Sequence, residues 1–282
     1  MSLTNQYLPR SAGWPAALYS MLLTLPLLVG GLAQAQDVET INIPLSRPGE
    51  PVSIDVSILS AHIEVIGEDR EDVQFDVSVL SGQRSIITPS GAKPIKTGGY
   101  SLEVEEEDNR ISLNSDWRTN RVRVTIHTPH DANLELSTVN DGVIEISDVN
   151  GEFELSNVNG PITATNVSGS VIAESVNEDI RIELTGLESD HALSLTSVNG
   201  NLTVALPNET GAEFHIDTAR GNIYSDFEVE VRPTKPMVDR SRKGRGVKVK
   251  VGTVITALVN GGGPVIKTKT LNGDIQIAKS AG

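Results

Sequence analysis

The 282-residue chain contains no cysteine. Disulfides, thiolate metal sites and a lipid-modified cysteine are therefore excluded, and the fold must be held by its core and its backbone ladder. Aromatic residues make up only 4% of the sequence, with two tryptophans, one of them Trp14 in a leader-like stretch. A sugar-binding face built on aromatic platforms has little to draw on. Positive charge is scarce as well, since 23 Lys and Arg stand against 37 Asp and Glu, for a formal net charge of −14. Neutralising phosphates needs a basic surface, so the balance argues against nucleic acid as a partner.

Motifs of chemistry are missing too. The chain has no Gly-x-Ser-x-Gly elbow, phosphate-cradling glycine loop or dinucleotide fingerprint. Its five histidines are scattered, and His127 and His130 flank Pro129 rather than bracketing a glutamate one helical turn apart, so they read as satisfied surface residues. No catalytic residue, metal ligand or cofactor is expected.

What the chain does contain is a short phrase that returns. Val139-Asn140-Asp141-Gly142, Val149-Asn150-Gly151, Val158-Asn159-Gly160, Val167-Ser168-Gly169, Val176-Asn177-Glu178 and Val198-Asn199-Gly200 follow one another, at a step of nine residues from Val149 to Val176. After each turn the same two positions are apolar, as in Ile144 and Ile146, Phe153 and Leu155, or Ile180 and Ile182. Alternation over about five residues is the period of a half-buried strand. A unit this short buries no core alone, so copies must stack. Glycine and asparagine suit the corners, where positive φ is tolerated, and the valine before each asparagine is expected to close the core at the bend. Two nonamers complete a coil of about eighteen residues, with coils about 4.8 Å apart. The expected fold is all-β, a single-stranded right-handed β-solenoid.

The structural corners predicted on this basis are Asn140, Asn150, Gly151, Asn159, Gly160, Gly169, Asn177, Asn199, Gly200, Asn272 and Gly273. With two nonamers per coil, Asn140, Asn159 and Asn177 share one edge, where stacked amides can bond along the axis. Calcium-binding β-rolls have the same repeat length, but Asp141, Asp148 and Asp179 fall at different phases, which disfavours a calcium cage.

Residues 1–35 read as a signal peptide rather than the alternative, an uncleaved membrane anchor: Arg10 supplies the positive region, 16–32 is mostly apolar, and Ala33-Gln34-Ala35 fits a cleavage site. An extracytoplasmic protein follows, periplasmic, surface-bound or secreted, with no membrane span after cleavage. Residues 36–282 are expected to form one domain, in which 36–130 supplies irregular first coils and a cap that blunts the open strand edge. Regular repeats follow over 131–231, then a basic insert over 232–246 and C-terminal coils over 247–282. Residues 82–100 read as a loop, and the acidic run of Glu103 and 105–108 as a solvated turn, with a cation site as the functional alternative. The insert carries Arg240, Arg242, Lys243 and Arg245 with no apolar period. It reads as a loop able to meet an anionic envelope polymer or an acidic partner.

Five stretches together carry a family resemblance. They are Gly-Glu-Pro-Val-Ser-Ile-Asp-Val at 49–56, His-Ile-Glu-Val-Ile-Gly at 62–67, the Val-Asn-Gly repeats, Gly-Gly-Gly-Pro-Val-Ile-Lys-Thr at 261–268 and Leu-Asn-Gly-Asp-Ile at 271–275. Their order resembles the DUF4097 putative-adhesin family of bacterial exported proteins, over nearly all of the chain beyond the leader. The resemblance implies a right-handed β-solenoid, an adhesin-like or scaffold role, and no set of catalytic residues. Three roles are weighed. One is a non-enzymatic scaffold for a protein or polysaccharide of the envelope. Another is a dock for an anionic polymer. The third, least favoured, is a carbohydrate-active enzyme, which needs two carboxylates about 5–9.5 Å apart in one groove, such as Glu145 with Glu154 or Glu174 with Glu183.

Overall fold

A computed structural model describes residues 38–80, 102–115, 121–232, 237–243, 246–252 and 254–280. The leader at 1–35, the insert at 82–100 and Arg245 lie outside the described residues. Gln36–Gly282 forms one compact unit, and among its described residues there is no helix. The strands before the repeats are β1 (Val38–Pro44), β2 (Val52–Ile58), β3 (Ala61–Glu68), β4 (Asp72–Val79), β5 (Leu102–Glu107), β6 (Arg110–Ser115) and β7 (Val122–Pro129). The repeats supply β8 (Ala132–Thr138), β9 (Val143–Ser147), β10 (Asn150–Asn157), β11 (Ile162–Ser175), β12 (Ile180–Leu184), β13 (Leu193–Ser197) and β14 (Leu202–Leu206). There follow β15 (Ala212–Arg220), β16 (Ile223–Ser225), β17 (Val229–Arg232), β18 (Met237–Lys243), β19 (Gly246–Gly252), β20 (Ile255–Val259), β21 (Val265–Asn272) and β22 (Ile275–Lys279).

The nonamer becomes half a coil. Phe153 pairs with Val171, Ile144 with Ile162 and Ile162 with Ile180, all in parallel and eighteen residues apart. One half-sheet runs β1, β4, β7, β3, β9, the start of β11, β12, β14, β22, β16. The other runs β5, β6, β2, β8, β10, the end of β11, β13, β21, β15, β20, β17. β11 turns the corner without breaking, so twenty strands form one hydrogen-bonded system around one core cluster. The ladders are mixed. β1, β4 and β5 at one end, and β20 and β17 at the other, pair antiparallel, where a uniform parallel winding was expected. Reversing the chain there lets a hairpin cover an edge that another parallel coil would leave open.

Chain order and stacking order also differ. The coil of β2 and β3 sits between β6–β7 and β8–β9, and the coil of β21 and β22 sits between β13–β14 and β15–β16. Each end of the stack therefore has a coil inserted one layer inside it.

The two corners of the coil are built differently. Where β9 meets β10 and within β11, Val149 and Val167 are fully buried as expected. At the opposite corner Val176 and Val198 are 38% and 37% exposed. The residue before each of these is buried instead, and it is polar: Thr138, Asn157, Ser175, Ser197 and Thr270 stack in register. Asn157 Nδ2 donates to Gly142 O at 3.1 Å and Thr270 Oγ1 to Gly200 O at 3.0 Å, so these side chains tie the turn inward. The glycines that follow are required for space rather than for φ. A Cβ on Gly160 lands 1.6 Å from Gly142 O in the next coil. Gly169, at φ 113, needs both the space and the conformation.

Outside this corner the asparagines form a ladder. Asn177 Nδ2 donates to Asn159 Oδ1 at 2.9 Å, Asn199 to Asn177 at 2.9 Å and Asn272 to Asn199 at 2.7 Å. Asn140 stands outside it, because Asn159 Nδ2 donates to Val139 O. Asn177→Ala removes two amide bonds at an exposed edge and is expected to lower unfolding free energy by roughly 1–2 kcal/mol, read as a shifted urea midpoint at unchanged slope.

The basic insert is a strand pair, not an irregular loop. β18 and β19 pair antiparallel from Met237↔Gly252 to Lys243↔Gly246, as a sheet separate from the main one. Val-Lys-Val-Lys-Val at 247–251 has the β-branched period of a strand, and the element missed in the sequence is β18, whose Met-Val-Asp-Arg-Ser-Arg-Lys has none.

Candidate functional site

The alternation that buries Ile54, Leu134 and Phe153 sends their neighbours outward on the second half-sheet. Parallel register then places Asp55 opposite Glu135 and Glu135 opposite Glu154. All three are exposed, and among the described residues none has a cation or hydrogen-bond partner. Like charges directly opposed on neighbouring strands repel.

These three and Glu152 line a depression of about 630 Å³. An adjoining one of about 440 Å³ shares Asn133, Glu152 and Ser170 and adds Asp131, Glu188 and Asp190. On the other side, one of about 520 Å³ shares Ser53 and Arg110 and adds Glu105, Glu107 and Asp108. The result is a trough lined by ten carboxylates against two guanidiniums, Arg110 and Arg47, and Arg47 is already paired with Glu50 at 3.3 Å. Such a surface draws cations and repels anions. Sequence reading missed it because its members come from strands far apart in the chain. The one local signal was Glu135 and Glu154, nineteen residues apart on the polar phase of stacked strands.

The acidic run is also more structured than a solvated turn. Its residues form the end strand β5, and Asp108 and Asn109 make a hairpin turn at φ 54 and 61. Glu106 loses hydration there, yet its carboxyl is held below the usual range by the Ser46 hydroxyl and N–H, the Asn109 N–H and Arg47. Glu188, Asp190 and His191 sit at the rim of the trough, with ligand atoms within 4.8 Å of one another. They occupy the insertion that lengthens one coil step from eighteen to twenty-two residues, as in Val171↔Leu193. His191 Nδ1 already accepts the Glu188 N–H at 3.3 Å.

Each histidine lies within 4.0 Å of a carboxylate: His62 of Glu145, His127 of Glu68 and Asp76, His130 of Asp69, His191 of Asp190, His215 of Glu213. The bond from His127, at 2.8 Å, is the chief reason the Glu68 carboxyl sits below its usual range, with Arg70 adding to it against partial desolvation. A depressed carboxylate pKa adds stability above the unfolded-state pKa and loses it as pH falls through the folded one. His127→Gln is expected to move the Glu68 midpoint upward in an NMR titration. With the Glu68 side chain 43% exposed, screening keeps the effect on stability well under about 1 kcal/mol.

The structure distributes the other predicted residues as follows. Asn150 Oδ1 accepts from Ser168 Oγ at 2.7 Å, and Gly151, Gly200 and Gly273 lie where a Cβ would strike the neighbouring coil. Asp141, Asp148 and Asp179 are turn residues. The Asp141 carbonyl accepts from Arg121, Asp148 from the Asn166 amide, and Asp179 from the Asn201 N–H. Glu145 and Glu154 stand on different half-sheets, as do Glu174 and Glu183, so neither pair shares a groove. Arg240, Arg242 and Lys243 lie along β18. No helix of the described residues is long and apolar enough to cross a membrane.

No protein-family model and no curated protein matches the chain. Among solved structures, a "putative cell adhesion protein" from Clostridium sporogenes is 11% identical at a TM-score of 0.46, over 87% of this chain and 100% of that one. A "putative adhesin" from Bacteroides fragilis is 13% identical at a TM-score of 0.37, over 86% of this chain and 98% of that one.

Proposed function

We propose that the chain is an exported, non-enzymatic β-solenoid that serves as an adhesin-like or scaffolding protein of the bacterial envelope. The observation that carries this reading is the in-register stack. One core runs through both half-sheets, so outward side chains recur at fixed spacing along a rigid face, as a contact surface for a large partner needs. The adhesin-like role itself comes from the sequence resemblance and is an associational argument. A protein or polysaccharide of the envelope is the partner this reading calls for. The leader-like residues 1–35 direct export, and the processed chain acts outside the cytoplasm.

The reading is tested by fractionating cells that produce the tagged chain and by capturing partners from envelope extract. Recovery outside the inner membrane, with a reproducible envelope partner lost on reversing outward charges of the repeats, supports it. Retention in the cytoplasm, or turnover of a small substrate by the pure protein, overturns it. A second reading takes the basic segment as a dock for an anionic envelope polymer, and the separate β18–β19 sheet is the feature that favours it.

A further inference from the structure

At the asparagine corner the usual sorting of side chains is reversed. In six consecutive layers the residue just past the buried one is aliphatic and faces outward: Leu59, Val139, Val158, Val176, Val198 and Leu271. Val139 and Val158 are half-buried, while Leu59 is 47% and Leu271 51% exposed, with Val176 and Val198 between them in exposure. The backbone ladder runs through the file, as Asn159 N–H donates to Val139 O at 3.1 Å and Asn199 N–H to Val176 O at 2.8 Å. Five spacings of roughly 4.8 Å make a ridge about 24 Å long. The residue after each member is Ser60 or an asparagine, so the ridge and the amides beside it carry no charge on a chain of net charge −14. A polar residue would serve a solvated corner as well, and aliphatic side chains in file mark a contact surface instead.

We infer that two copies of the chain meet along this ridge, side by side and antiparallel about a two-fold axis. Along the stack the ridge reads Leu, Val, Val, Val, Val, Leu, the same from either end. An antiparallel copy therefore sets Leu59 against Leu271, Val139 against Val198 and Val158 against Val176. Both stacks rise by about 4.8 Å per layer, so the match holds over the whole length. The flanking charges choose the direction. Two residues to either side of the ridge, Glu174 and Glu178 flank Val176, Asp141 flanks Val139 and Lys269 flanks Leu271, whereas the layers of Leu59, Val158 and Val198 have no charge at those positions. Antiparallel docking sets every charged layer against an uncharged one. Parallel docking would set each against its own copy, and like charges so opposed repel. The contact is isologous and closes at two. With the amide ladder it offers on the order of 400 Å² per copy, the size of a weak, transient pairing. The inference goes beyond the scaffold reading and stands without it.

The test is sedimentation of protein purified from cells that express the full chain, over a concentration series at low and moderate salt. Wild type is expected to pass from monomer to dimer and no further, and added salt to hold or strengthen the dimer by screening the net charge. A variant with Val176→Asp and Val198→Asp is expected to associate roughly tenfold more weakly or worse, because the contact would bury charges without partners. Its urea midpoint is expected to stay close to wild type, since both sites are exposed. The absence of native cysteine makes the direction readable. Leu59→Cys and Leu271→Cys proteins, mixed under mild oxidation, are expected to cross-link with each other, and neither with itself. Wild type that is monomeric at every concentration, a dimer indifferent to the two aspartates, or a cysteine variant that cross-links alone overturns the inference. So does a monomer that binds an envelope polysaccharide and loses it in the aspartate variant, which assigns the ridge to a glycan instead.

Discussion

Gly160→Ala is expected to be among the most damaging single changes in the chain. The added methyl lands 1.6 Å from Gly142 O and 2.8 Å from the carbonyl carbon, both backbone atoms of the neighbouring coil. Neither yields without opening the ladder, so the two coils must part. A loss of about 3 kcal/mol or more, or of cooperative unfolding altogether, is the expected size for overpacking against backbone. Gly186→Ala is the control. Nothing lies within 4 Å of a Cβ there, and its effect is expected within about 0.5 kcal/mol of zero. Equal urea midpoints for the two variants would refute the close-approach account of the repeat glycines.

The second large effect is expected from removing residues 264–282. That coil is the parallel partner of β13 and β14 on one side and of β15 and β16 on the other, and it buries Ile266, Ile275 and Ile277. Its loss leaves two facing surfaces that were never built to meet. The truncated chain is expected to show no cooperative thermal transition, whereas deletion of residues 38–45, whose strand β1 pairs with β4 alone among the described strands, keeps a transition at lower temperature. Ile266→Ala is the milder form, with a loss of about 2–5 kcal/mol for a large-to-small change at a fully buried site. A folded truncation with near-native Tm would show that β15–β16 contributes little where it lies.

The all-β class and the step between stacked strands were legible because the signal repeats. The period of nine, two apolar positions per strand and asparagine at one phase are local facts, and they led to eighteen-residue steps and the amide ladder from Asn159 to Asn272. The misreadings arose where partners are distant in sequence. Val139 and Val176 look identical to Val149 and Val167, and only the stacking of Thr138, Asn157 and Ser175 beside the former shows which residue turns inward. Coil order was equally hidden, since β21 meets β13 across seventy-three residues at Leu193↔Ile266. The trough was invisible for the same reason: Asp55 and Glu135 are neighbours only through register.

The inserted coils also set the order in which the molecule can be assembled. A simple repeat stack can grow layer by layer as the chain emerges, each turn closing on the one before it. Here β15 and β16 come out before the layer they rest on, and β6 and β7 before anything lies on the far side of β2 and β3. The pairing of β21 with β13 and β15 is made across long separations, and such closures are slow. The chain thus stays unfinished, with strand edges open, until its last strands arrive. That delay makes the arrival of β21 and β22 the step that decides when the molecule becomes resistant to proteases.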